Sequence, residues 1–330
     1  MQDQGMPRWL IMSAFIVTCE YIVALLIGSR AGYPYRLPFD AYFITFSTAA
    51  LLIVVAGMLY TLARFAFEGE QHPARRLLAM PKTPVMVFLG LVGLIALQLA
   101  VLMWLKVMLP KATGFWADDV LADVDNLLFF GNDPWIISHR LFGWASPLID
   151  DAYATWGPLK TICLLSLIFL PESDTKGRLI LSYFLVVSLT AVGQYALPSA
   201  GPIFYEHLCL GDRFAALPYQ PWAVEARDYL WRDYLIGGGL PGGGISAMPS
   251  LHVGLAFWIA MCVTAVLPRL AFLAYAYAAI IVIGSVHLGW HYAVDAIGAG
   301  LIVLVSSTLA RRLAVQRKDE VVAPGNPVTQ

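Results

Sequence analysis

The residues in this chain best suited to chemistry are two histidines, an aspartate and a serine, gathered in two short stretches. The first runs from Gly237-Gly238-Gly239-Leu240-Pro241-Gly242-Gly243-Gly244 into Ile245-Ser246-Ala247-Met248-Pro249-Ser250-Leu251-His252. Six glycines in eight residues let the backbone approach a ligand closely or simply flex. Ser250 stands where a helix would begin, and His252 falls in its first turn. The unpaired N–H groups and partial positive charge of a helix start favour a bound phosphate, although a serine there can also serve as a cap and nothing more. The second stretch is His287-Leu288-Gly289-Trp290-His291-Tyr292-Ala293-Val294-Asp295-Ala296-Ile297-Gly298. His291 and Asp295 are four apart, so on a helix they share one face, where the carboxylate can accept from one imidazole nitrogen. That bond fixes the tautomer and leaves the lone pair on the other nitrogen free and more basic. A purely structural His–Asp pair would give the same pattern.

The spacing His287, His291, Asp295 also suits a metal site, but Gly284 and Gly289 argue against one continuous helix through His287. No C-x-x-C pair, Cys/His zinc spacing or Mg²⁺-type carboxylate cluster occurs, so neither metal nor cofactor is expected. If the helices at Leu251 and His291 begin at the same membrane face, His252 and His291 can converge although 39 residues separate them. Convergent histidines, an orienting aspartate and a serine at a helix start suit phosphoryl transfer.

The elements that must position these residues follow from composition. The chain has 330 residues, of which 59% are hydrophobic and 13% charged, against about a quarter charged in a soluble domain. A soluble globular fold is excluded. A formal net charge of −1 and the lack of a basic patch exclude a nucleic-acid partner. Four scattered cysteines cannot form a disulfide framework. A bilayer core about 30 Å thick needs roughly 20 apolar residues per helix. Eight such runs lie near residues 9–28, 43–64, 84–108, 152–171, 178–198, 251–267, 270–287 and 291–310, predicting an all-α, polytopic membrane bundle. The last two are separated at Gly284–Trp290. The first run has a longer apolar part than a signal core and no small-x-small cleavage pattern before Arg30, and is expected to be a retained helix. Glu20 near its middle is expected to face the bundle and be paired or protonated.

With both termini cytoplasmic, 12 of the 21 basic residues fall in short inner segments, which favours that orientation. Segments 109–151 and 199–250 then face the periplasm or cell exterior. Residues 118–149 and 222–236, rich in Trp and Tyr among charges, suit interfacial helices. They either cover the bundle or wall a headgroup cavity.

The two chemical stretches resemble motifs of the type 2 phosphatidic acid phosphatase (PAP2) superfamily. Its second motif reads Pro-Ser-Gly-His, similar to Pro249-Ser250-Leu251-His252, and its third reads Ser-Arg-x5-His-x3-Asp, whose end matches His291 to Asp295. The Pro-Ser-Leu-His form and the His-Tyr-x-x-Asp ending are most similar to the branch with the yeast-type inositol phosphorylceramide synthases. The resemblance covers roughly residues 84–312. It implies a six-helix catalytic core over 84–313 with two additional helices within 1–83; the stretch 314–330 is expected to be a flexible cytoplasmic tail.

It also implies a two-step displacement, with His291 as the nucleophile oriented by Asp295, His252 as the proton donor and acceptor, and Ser250 holding phosphate oxygens. The partners implied are a phospholipid donor, an alcohol or water acceptor, and the bilayer itself. The sequence departs from the pattern at three cations. The third motif's Ser-Arg falls on Gly284-Ser285, and the first motif, Lys-x6-Arg-Pro, leaves only Gln194 and Gly201-Pro202. A phosphodiester carries one negative charge where a monoester carries nearly two, so these losses favour a diester donor and a transferase unless Lys160, Arg213, Arg227 or Arg232 supply charge. A lipid phosphate or polyprenyl diphosphate phosphatase would use the same residues. A transporter would use Glu20, Asp295 and the histidines as a relay, but the ionisable groups gather at the outer face and no internal repeat is visible.

Overall fold

The computed structural model describes residues 6–33, 39–80 and 83–314. Arg36, Lys82, Arg317, Lys318 and the rest of the expected tail after Ala314 lie outside the described residues. Thirteen α-helices follow one another, and no strand occurs among the described residues: α1 (Arg8–Ala31), α2 (Phe39–Phe67), α3 (Pro73–Leu78), α4 (Thr83–Thr113), α5 (Ala117–Leu128), α6 (Pro134–Phe142), α7 (Ser146–Ala154), α8 (Trp156–Ser166), α9 (Asp174–Ala196), α10 (Pro221–Leu235), α11 (Leu251–Val266), α12 (Ala271–His287) and α13 (Ala293–Ala314). The chain is an all-α polytopic membrane bundle, with seven helical stretches long and apolar enough to cross a bilayer among the described residues.

Each predicted apolar run lies on helix, with two differences. The run at 152–171 is interrupted, because α7 ends at Ala154 and α8 begins at Trp156. Pro147 and Pro158 sit in the first turns of α7 and α8; proline lacks the N–H that an uninterrupted helix would use there, so each starts a new segment. Together α6 to α8 make one broken apolar path over Pro134–Phe169. The run at 251–267 forms α11, which at 16 residues is about 24 Å long, short of the bilayer core.

The α9 helix is the hub. It packs against α1, α4, α11 and α13, and Tyr183 and Phe184 in its middle are fully buried. Trp258 of α11 donates to the Leu179 carbonyl and the Ser182 hydroxyl of α9, so even its indole N–H is satisfied in the apolar interior. The first two helices are strapped to α4. Glu20 of α1 accepts from Gln98 Nε2 of α4 at 3.2 Å and from Ser188 Oγ of α9 at 2.5 Å. The carboxyl inside the bundle is thus a structural tie between three helices, as an intramembrane acid requires partners.

The ends of α1, α4 and α9 and the starts of α2, α11 and α13 gather at one end of the bundle. There the glycine run meets the first two helices, through Tyr33 donating to the Gly237 carbonyl and Gly242 N–H donating to Tyr42 Oη at 2.9 Å. Both aromatic segments form helices at this end. The 222–236 segment becomes α10 and walls a cavity through Trp222, Ala226 and Leu230. The 118–149 segment becomes α5, α6 and the start of α7, and α5 braces the second chemical stretch from outside that cavity.

Candidate active site

Asp233 shapes the loop that leads into the site. Its buried carboxylate accepts from Leu240 N–H at 2.8 Å and Gly244 N–H at 2.9 Å, which coils the glycine run around it. Gly244 has φ +81°, and a β-carbon there would lie 2.7 Å from Lys106 Cβ of α4; only glycine permits that approach. The loop then reaches Ser250, which caps α11 by accepting from Val253 N–H at 3.2 Å. Ser250 is fully buried and does not line the cavity, whereas Ser246 does.

The structure corrects the expected placement of His291. The helix after the break begins at Ala293, so His291 precedes it instead of sharing a helical face with Asp295. The contact forms nonetheless. His291 Nδ1 lies 3.1 Å from Asp295 Oδ2 and 3.1 Å from the Ala247 carbonyl oxygen. Two acceptors face Nδ1, so that nitrogen carries the proton and the Nε2 lone pair is free. Because Ala247 lies just before the Ser250 cap, the same bond ties the first stretch to the second.

Two carboxylates of α5 hold the approach to His291. Asp125 accepts from Ala293 N–H at 2.6 Å and Val294 N–H at 2.9 Å, capping α13 from a neighbouring helix. Asp118 accepts from Ala200 N–H at 2.8 Å, Gly201 N–H at 2.9 Å and Tyr292 O–H at 2.7 Å. Gly201, where the superfamily motif would carry arginine, has φ +97°, and a β-carbon there would meet the Trp290 carbonyl oxygen at 2.4 Å. The local fold therefore has no room for that arginine.

Burial pushes both the Asp118 and the Asp125 carboxyl up to about 6, against an ordinary 3.8. With a raised pKa in the folded state, each takes up protons between about pH 6 and 3.8 before the unfolded chain does, so acidification through that window adds stability through these groups. Activity is expected to move the other way. A proton on Asp118 neutralises the carboxylate and so weakens the three bonds it accepts, loosening the setting of the loops that hold His291. A pH–rate profile falling below pH about 6 while the melting temperature holds or rises would bear this out; activity unchanged at pH about 5 would contradict it.

His252 lies on the first turn of α11 between Trp156 and Tyr153, at ring-centroid distances of 4.3 and 5.1 Å. Its ring centroid is 5.7 Å from that of His291, so the two histidines converge as the sequence implied. Both line a cavity of about 290 Å³, with Lys106, Lys160, Gln194, Ser246, Trp222 and Trp290 among its other walls. Lys106 and Ser246 were not singled out as site residues by the motifs.

Of the four basic residues considered as substitutes for the missing cations, Lys160 reaches the cavity. Arg213 is spent on Asp123 and Asp133, each at 2.7 Å, and Arg227 pairs with Asp228. With Lys160 and Lys106 present, the shortage of cations at the motif positions is not a shortage at the site, and it no longer separates a diester donor from a monoester. His287 is a structural residue. Its ring bonds Ser138 at 2.9 Å and Ser146 at 2.8 Å and stacks on His139 at 3.7 Å. No cluster of three or more metal-ligating side chains occurs among the described residues.

These features define a polytopic helical membrane protein with a histidine-centred cavity at one end of its bundle. The pattern of the PAP2 superfamily matches residues 119–309, more than half of the 330-residue chain, and the chain belongs to that superfamily of phosphatases and related phosphotransferases. The match takes in Ser250, His252, His291 and Asp295 and leaves out α4 with Lys106. No curated protein and no solved structure matches the chain.

Proposed function

We propose that this protein is a membrane phosphotransferase that moves a phosphoryl headgroup from a phospholipid donor to a lipid or polyol alcohol. The observation that carries this is the pair of acceptors on His291 Nδ1, which frees Nε2 as a nucleophile beside the cavity. In the first step Nε2 forms a bond to phosphorus as the bond to the diacylglycerol oxygen breaks, and His252 gives that oxygen its proton. In the second, His252 takes the proton of the acceptor hydroxyl, whose oxygen bonds to phosphorus as the P–N bond breaks. Asp295 compensates the positive charge on His291 while the phosphohistidine stands. The free N–H groups at the start of α11, whose turn Ser250 fixes by capping Val253, and the Ser246 hydroxyl in the cavity wall would steady non-bridging oxygens.

Transfer to an alcohol is favoured over transfer to water by the cavity itself. A volume of about 290 Å³ walled by Trp156, Trp222 and Trp290 exceeds what a phosphate and a water need and approaches that of small-molecule sites. The inositol phosphorylceramide synthase-like branch is supported by the forms Pro249-Ser250-Leu251-His252 and His291-Tyr292-Ala293-Val294-Asp295. We place the site on the periplasmic or extracellular face of the cell membrane and both termini in the cytoplasm, on the distribution of basic residues.

The alternative within the superfamily is a lipid phosphate or polyprenyl diphosphate phosphatase. Purified protein incubated with phosphorus-radiolabelled phosphatidylinositol and a panel of lipid and polyol alcohols is expected to yield a new labelled phosphodiester. Release of inorganic phosphate from phosphatidic acid, with no transfer to any alcohol, would establish the phosphatase instead.

A further inference from the structure

We propose that Lys106 and Lys160, contributed by helices outside the sequence motifs, form the subsite that binds the phosphate of the substrate ester. This rests on the phosphoryl-transfer reading and adds the residues that recognise the reacting group. Lys160 on α8 is 8% exposed. Its Nζ lies 4.8 Å from the centroid of the Trp156 ring, and it forms no ion pair among the described residues. Lys106 on α4 also forms none among them, since the Asp233 carboxylate that acts on it is committed to the N–H groups of Leu240 and Gly244. Both lysines act electrostatically on His252. Among the described residues no aspartate or glutamate lines the cavity they share.

An ammonium group removed from water without a counter-charge is costly unless a ligand supplies one. Lys160 is such a group, and the partly buried Lys106, which also lines a second cavity with Asp233, adds positive charge to the same wall; beside His252 and His291 they define the missing partner as an anion. Ser246 adds a hydroxyl that lines the cavity and is buried with no hydrogen-bond partner among the described residues. Two cations and a hydroxyl donor suit the non-bridging oxygens of a phosphate. Their combined charge matches the two negative charges that a diester acquires when a nucleophile adds to phosphorus, which favours the transition state over the ground state. The ligand class is therefore a phosphoric ester, held through its phosphate.

The test measures binding rather than turnover. Inorganic phosphate and dihexanoyl phosphatidic acid are titrated against detergent-solubilised protein, followed by thermal shift, in the wild type, in His291→Asn, and in Lys106→Met, Lys160→Met and their double variant. The wild type and His291→Asn are expected to bind at least one of the two ligands alike. Each methionine variant is expected to weaken that binding about ten-fold or more, and the arginine variants to recover most of it. Inorganic phosphate as an effective ligand would mean that the phosphate alone is read, and binding of the lipid only would mean that it is read in its headgroup setting; both support the subsite. An unchanged affinity in the double variant, or a wild type that binds neither ligand, overturns it. If a methionine variant does not fold, protection of Lys106 and Lys160 from acylation by the same ligands in the wild type decides the question, with absence of protection counting against. Lysine-dependent binding in a protein that transfers nothing would leave the subsite standing and sink the transferase reading alone.

Discussion

His291→Asn is expected to lower turnover by about 10⁴-fold or more, the scale on which removal of a nucleophile acts, while the protein remains folded. The asparagine amide nitrogen falls near the place of Nδ1, so it can keep the bonds to Asp295 and the Ala247 carbonyl that hold the two chemical stretches together. What it removes is Nε2. His291→Ala is expected to cost as much in turnover, and to destabilise the protein besides, because Asp295 is fully buried and would lose its partner. Turnover on a radiolabelled phospholipid, with melting temperature read alongside, separates the two effects. Most of the activity surviving in folded His291→Asn would remove His291 from the mechanism.

His252→Ala is expected to slow transfer from a natural phospholipid by about 10² to 10⁴-fold, the usual contribution of a positioned acid–base group. The loss should depend on the leaving group. A diacylglycerol alkoxide departs only with a proton, whereas p-nitrophenolate departs without one. Formation of the intermediate from a p-nitrophenyl phosphodiester should therefore be little affected by the substitution, while its breakdown by an alcohol, which needs His252 as the base, stays slow. An equal loss with both donors would assign His252 to binding or to structure. The room around His252 bears on the choice of variant, since its ring is clasped by Trp156 and Tyr153. His252→Gln fills more of that space and offers a folded control.

Much of this architecture was legible in the sequence because membrane helices are written in long apolar runs, and because Pro249-Ser250-Leu251-His252 and His291 to Asp295 keep their spacing. What the sequence hid is tertiary. Helical periodicity suggested the His291–Asp295 contact, but His291 stands before the helix, in a loop whose shape depends on Asp118 and Asp125 some 170 residues earlier. Prolines in the first turns of α7 and α8 broke a run that hydropathy alone reads as one span. The cations are the most instructive case. Lys106 lies within the apolar run at 84–108, a position where a charge is expensive, and that cost is the signal that marks it as functional. Lys160 carried the same signal and was considered. Neither could be joined to the histidines without the packing of α4 and α8 around α11, which no local pattern encodes.

The central claim is that a phosphoryl group rests on Nε2 of His291 between donor and acceptor. The most direct test is to mix the His252→Ala protein with a phosphorus-radiolabelled p-nitrophenyl phosphodiester, quench in alkali, where phosphohistidine survives, and map the label by peptide mass spectrometry. Label is expected on the peptide containing His291, lost on longer incubation with an acceptor alcohol and absent when His291→Asn is introduced. Label on another residue, or continued transfer with no labelled protein at any time, would contradict the account.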